Sequence, residues 1–110
     1  DIKYYECSSV VPLKIEAMGR NILKIMSRLE FNESMGQEES YRIRVREGKK
    51  VLGTYFFNTE RSSASQILER PDIVPGKWRS CEIIVPKGIH SYTVEIADKE
   101  KTVLTRFILY

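Results

Sequence analysis

SYRIRVREGKKVLGTYFFN, residues 40–58, is the stretch from which the fold can be read. Tyr41, Ile43 and Val45 alternate with Arg42, Arg44 and Arg46. Successive side chains on a strand point to opposite faces, so one face is apolar and the other carries guanidiniums. Glu47-Gly48-Lys49-Lys50 is a polar, glycine-containing turn, and 51–57 returns as a β-branched and aromatic run. Together they predict a β-hairpin with one buried and one wet face. Tyr41, Ile43, Val45, Tyr55 and Phe57 belong inside, and the arginines outside.

Working downstream, 59–77 is one long irregular connection, with room for a helical turn at 66–70 and a turn signal at Pro75-Gly76. Residues 78–85 read as a strand with Cys81, Ile83 and Val85 on one face. Pro86-Lys87-Gly88 reads as a turn, and His90, Tyr92, Val94 and Ile96 set the stride of the next strand. After the charged turn 98–101, the strand 103–110 is apolar on both faces. That predicts a central position or cover on both sides.

Upstream, 2–10 is a first strand, interrupted by Pro12, which has no N–H to donate. Leu13, Ile15 and Ala17 mark a second. Gly19-Arg20-Asn21 reads as a turn. Residues 22–31 fit a strand by their stride of two, although Leu23, Met26 and Ser27 also fall on helical spacing. Residues 32–39 form a polar loop.

This makes about eight short strands with regular turn signals, which predicts a single all-β domain over 1–110, an antiparallel two-sheet β-sandwich. Pro75-Gly76-x-Trp78 and Val85-Pro86-x-Gly88-x-His90-x-Tyr92 resemble stretches of accessory immunoglobulin-like sandwiches, which implies an immunoglobulin-like arrangement. The Cys-Trp-Cys order of true immunoglobulin domains is absent, because Trp78 precedes Cys81 and does not lie between the cysteines.

A chain of 110 residues is long enough to bury a core without a metal or a disulfide lattice. Its 42% apolar and 30% charged composition is that of a globular protein. A net charge of +3 lacks the dense basic clustering of a nucleic-acid binder. No apolar run approaches the roughly 20 residues of a transmembrane helix. A start at Asp1 without Met is that of an excised domain or a mature chain, and an extracytoplasmic location is favoured. Cys7 and Cys81 read as two buried thiols. The alternative is one disulfide closing a long loop, worth about 4 kcal/mol in the chain-entropy model.

No catalytic, metal or cofactor motif is present. His90 has no orienting acid and nucleophile beside it in sequence, since Ser91 faces the other way. Ser62, Ser63 and Ser65 lack a nucleophile elbow. Glu38 with Glu39, or Glu69 with Asp72, are carboxylate pairs of the kind any polar loop contains. Two distant cysteines and one histidine do not make a zinc site. The candidate binding residues are Arg42, Arg44 and Arg46, which suit anionic groups, together with Arg61, Lys77 and Trp78 around the long connection. The plainer reading of the arginines is a solvated face paired with Glu16, Glu30 or Glu95. The sequence therefore reads as a non-catalytic module that contacts a protein partner or a neighbouring domain. The alternative is a carbohydrate-binding module using aromatic side chains and the 59–77 connection.

Overall fold

A computed structural model describes residues 4–62 and 73–110. Among these, seven strands form one antiparallel sheet: β1 Tyr5–Ser8, β2 Leu13–Phe31, β3 Glu38–Glu47, β4 Lys50–Glu60, β5 Val74–Pro75, β6 Arg79–Ile96 and β7 Thr102–Leu109. The order is β1-β7-β2-β6-β3-β4, with the two-residue β5 pairing beside β2.

The hairpin and the buried face of its first strand are as expected. Tyr41, Ile43 and Val45 are buried, and β3 pairs with β4 across a turn in which Gly48 takes a φ of 60°. That left-handed conformation costs glycine little. Tyr55 and Phe57 are only half-buried, because β4 is an edge strand with a partner on one side alone. Residues 22–31 are strand, not helix. The first strand is shorter than 2–10, and the helical turn expected at 66–70 lies outside the described residues.

Two expected turns are not chain reversals. Gly19-Arg20-Asn21 lies inside β2, and Pro86-Lys87-Gly88 lies inside β6. The expected strands 13–18 and 22–31 are thus one, as are 78–85 and 90–97. The two runs pair with each other along most of their length, Gly19 opposite Gly88, with a register shift between Gly19 and Asn21. Glycine and proline here mark a distortion in a paired ladder, which strands tolerate at bulges.

This pairing sets the architecture. β7 lies beside only the second half of β2, at 23–29, and β3 beside only the second half of β6, at 93–96. Two wings therefore share one pair of long strands. Side chains from the two wings meet: Ser27 Oγ on β2 is 2.7 Å from Tyr41 Oη on β3, and the Cys7 thiol on β1 donates to the Val94 carbonyl at 3.2 Å. Between them lies the core of Leu23, Ile25, Leu29, Tyr41, Ile43, Val85, Tyr92, Val94 and Val103. Burial is the main stabilising term, at roughly 25 cal/mol per Å² of apolar surface. Tyr41 keeps its hydroxyl paired while buried, and burial pushes its pKa up to about 12.

Both cysteines are free and buried. Burial pushes the Cys7 thiol up to about 11 and the Cys81 thiol to about 12, so neither forms a reactive thiolate near neutral pH. A thiol-reactive dye is expected to label the native chain slowly, and to count both thiols once the chain is unfolded without reductant. Counting none after unfolding would restore the disulfide.

Candidate functional site

The arginine row stands on the outer face of β3, opposed by acids from β6 and the turn after it. Arg44 pairs with Thr54 on one side and Glu95 on the other, and Arg46 with Thr93 on β6. One carboxylate, Glu95, serves two of the guanidiniums, at 3.5 Å from Arg44 and 2.6 Å from Arg46. Asp98 takes the third. It accepts from the Arg42 side chain at 2.9 Å and from its backbone N–H at 2.7 Å. Those bonds hold the Asp98 carboxyl below its usual range against the opposing effect of burial. Glu16 lies opposite Ser91, and Glu30 is buried at the far end of β2, so of the three acids expected to pair with the row only Glu95 does. Half-exposed pairs of this kind contribute about 0–1 kcal/mol each.

Arg61, Lys77 and Trp78 gather elsewhere, where the end of β4 meets the start of β6. Arg61 N–H groups donate to the carbonyls of Asn32, Met35 and Gly36, and its guanidinium lies 5.1 Å from the Phe31 ring centroid. It clamps the 32–37 loop. Lys77 pairs with Glu60 through its ammonium, and its N–H donates to the Glu60 carbonyl. Trp78 is half-buried, with Tyr4 at 5.5 Å centroid to centroid and the Arg28 guanidinium 5.0 Å from its ring. Sequence reasoning missed Arg79, which reaches back to the Asn58 carbonyl at 2.7 Å. The described ends of the 59–77 connection pair with each other: Ser62 N–H donates to the Pro75 carbonyl, and Arg61 bridges Gly76.

His90 has an acid partner after all, although a distant one in sequence. Its Nδ1 lies 2.6 Å from Glu47 Oε2, and its Nε2 lies 3.2 Å from the Lys87 carbonyl. Both ring nitrogens face acceptors, which favours the imidazolium and raises the pKa above the ordinary 6.5, chiefly through Glu47. A raised folded-state pKa contributes stability that is fully present below 6.5 and is lost as pH rises through the higher folded value. The melting temperature of the wild type minus that of His90→Gln should therefore be constant below the ordinary 6.5 and fall as pH rises above it. A difference constant over the whole range would mean that the contact is not ionic.

Neither of two surface clefts assembles a nucleophile with a base. One, of about 510 Å³, is lined by Glu38, Glu39, Glu60, Asn58 and Arg79. The other, of about 670 Å³, lies between Ser8–Val10, the Arg44–Glu95 pair and the 97–102 turn. Among the described residues, no group of three or more His, Cys, Asp or Glu is placed to hold a metal ion. Nor is any helix among them long and apolar enough to cross a membrane.

The sequence reading gave no site role to the outer face of the β7-β2-β6 wing. Leu23, Ile25, Ser27 and Leu29 point inward, so Ile22, Lys24, Met26 and Arg28 point out. Register places Ile84 opposite Ile22, Ile108 opposite Lys24 and Leu104 opposite Arg28. Tyr110 joins through two backbone bonds to Ile22 and a hydroxyl bond to Glu82. Ile84 is 81% exposed and Tyr110 58%. The two apolar faces of the last strand were the signal for this patch. β7 does lie between two strands, and its outward residues Leu104, Arg106 and Ile108 are half-buried. Comparison with protein-family models, curated proteins and solved structures returns no significant match.

Proposed function

We propose that this chain is a non-catalytic β-sandwich module, one domain with an immunoglobulin-like arrangement, that contacts a protein partner or a neighbouring domain of a longer chain. The two wings, packed through Ser27 and Tyr41, serve as its two layers. The observation that carries the reading is the row Ile84, Ile22 and Tyr110 with Ile108 beside it, an apolar patch facing water on a rigid sheet. Contiguous apolar patches of this kind mark contact sites, whereas scattered apolar residues do not. The charged side chains support the same reading: the arginine row is paired, Arg61 is a backbone clamp, and the most deeply buried titratable groups belong to the core. Arg42, Arg44 and Arg46 lie on the outer face of the other wing, in the row of Lys14 and Thr93, and so stand apart from this contact, whereas Trp78 lies over Arg28 on the patch's own face.

A carbohydrate-binding module has less support. Sugar rings stack on open aromatic faces, and the Trp78 ring is already engaged by Tyr4 and Arg28. The readings separate by photo-crosslinking combined with a glycan array. A photoreactive residue at Ile84 should capture a polypeptide, another domain or a separate protein, while one at Lys14 on the other wing should not. The array should stay blank. Equal capture from both positions, or a glycan signal lost in Trp78→Ala, would reject the contact-module reading.

A further inference from the structure

We infer that β4 pairs edge to edge with β4 of a second copy, forming a two-fold dimer through a surface other than the apolar patch above. The hydrogen-bonding direction along β4 follows from the ladder. Arg61 N–H donates to the Gln37 carbonyl, so 59, 57 and 55 exchange bonds with β3, and 60, 58, 56 and 54 turn their N–H and C=O groups away from it. The chain itself uses the far end of this outer edge: Lys77 N–H donates to the Glu60 carbonyl, and Arg79 reaches the Asn58 carbonyl. Thr54 and Phe56 continue the same row, and among the described residues no strand lies beside them. Phe56 is 62% exposed. The open stretch contains no proline, the residue that commonly protects such an edge, although a bulge opposite Val45–Arg46 blunts its start.

Charge selects a second copy as the occupant. Lys49 and Lys50 stand at the start of this edge, and Glu38 and Glu60, paired across the β3–β4 ladder, stand at its end beside the 510 Å³ cleft. Glu60 already holds Lys77, while Glu38 is exposed. An antiparallel copy brings its lysines to these carboxylates at both ends of the contact, whereas a parallel copy sets like charges together. The segment beside 58–62 blocks pairing at that end, which leaves Thr54 opposite Thr54 of the partner at the two-fold axis. Residues exchanging both backbone bonds have Cα atoms about 5.5 Å apart, within disulfide range.

Sedimentation equilibrium of the whole chain should therefore show a monomer–dimer equilibrium. Thr54→Pro removes no β3–β4 bond, because the Thr54 N–H points outward. It should melt as the wild type does and dimerise at least about tenfold more weakly. Thr54→Cys should oxidise to a covalent dimer, and Phe56→Cys should not. Lys49→Glu/Lys50→Glu and Glu38→Lys/Glu60→Lys should each weaken association, and mixing the two should restore it. A wild type that stays monomeric at about 1 mM, a dimer unaffected by Thr54→Pro, or a mixture that fails to restore association would overturn the proposal.

Discussion

Ile43→Ala is expected to destabilise the chain by about 2–5 kcal/mol, and Arg44→Ala by less than about 1 kcal/mol, although the two residues are neighbours on β3. Ile43 is fully buried, opposite Tyr55 on β4 and Ile96 on β6. Truncation forfeits the transfer energy of the lost methylenes and leaves a cavity that a three-strand junction has little freedom to close. Arg44 stands on the other face, partly in water, and shares Glu95 with Arg46. Removing it leaves Glu95 with its shorter partner, so little is lost. Denaturant melts of both variants test this directly. Equal destabilisation would mean that the faces of the hairpin are wrongly assigned.

Gly19→Ala is expected to be more disruptive, costing more than about 3 kcal/mol. A Cβ at this position would sit 1.6 Å from the Pro86 carbonyl oxygen and 2.5 Å from that of Val85. These are backbone atoms of the paired strand, so no side-chain rotamer change relieves the overlap. Either β2 and β6 separate where both are deeply shared by the two wings, or the chain does not fold. Gly48→Ala, where nothing lies within 4 Å of the added Cβ, is the control, and it carries only the conformational cost of a positive φ. Thermal melts showing Gly19→Ala no less stable than Gly48→Ala would remove the close crossing of β2 and β6.

The hairpin was legible because alternation over 40–58 is a local property, and one face of it is buried. The length of β2 and β6 was not. Gly19 and Pro86-Lys87-Gly88 carry the composition of turns, and only their mutual pairing reveals that the chain runs on through both. Long-range partners were partly legible. Glu95 sits at an outward strand position and was foreseen opposite the arginines, whereas Asp98 lies in a turn whose approach to Arg42 depends on the strand order. The clamp made by Arg61 and the reach of Arg79 were hidden for the same reason. Their targets are backbone carbonyls about 20–30 residues away, which no side-chain pattern announces. The apolar outer face was visible as a strand hydrophobic on both sides. The expectation of a central position or cover was met by position, since β7 lies between β1 and β2, and the half-buried apolar side chains of its outer face border the proposed contact.

One measurement tests the account most directly: relaxation of isoleucine methyl signals by a soluble paramagnetic agent. Ile83 and Ile84 are neighbours in sequence, 7% and 81% exposed respectively. The Ile84 methyls should relax strongly, as should those of Ile89 at 64% exposure, while Ile83, Ile25 and Ile43 stay shielded. Equal relaxation of Ile83 and Ile84, or shielding of Ile84 in the monomeric chain, would contradict both the assignment of faces and the apolar surface on which the proposed function rests.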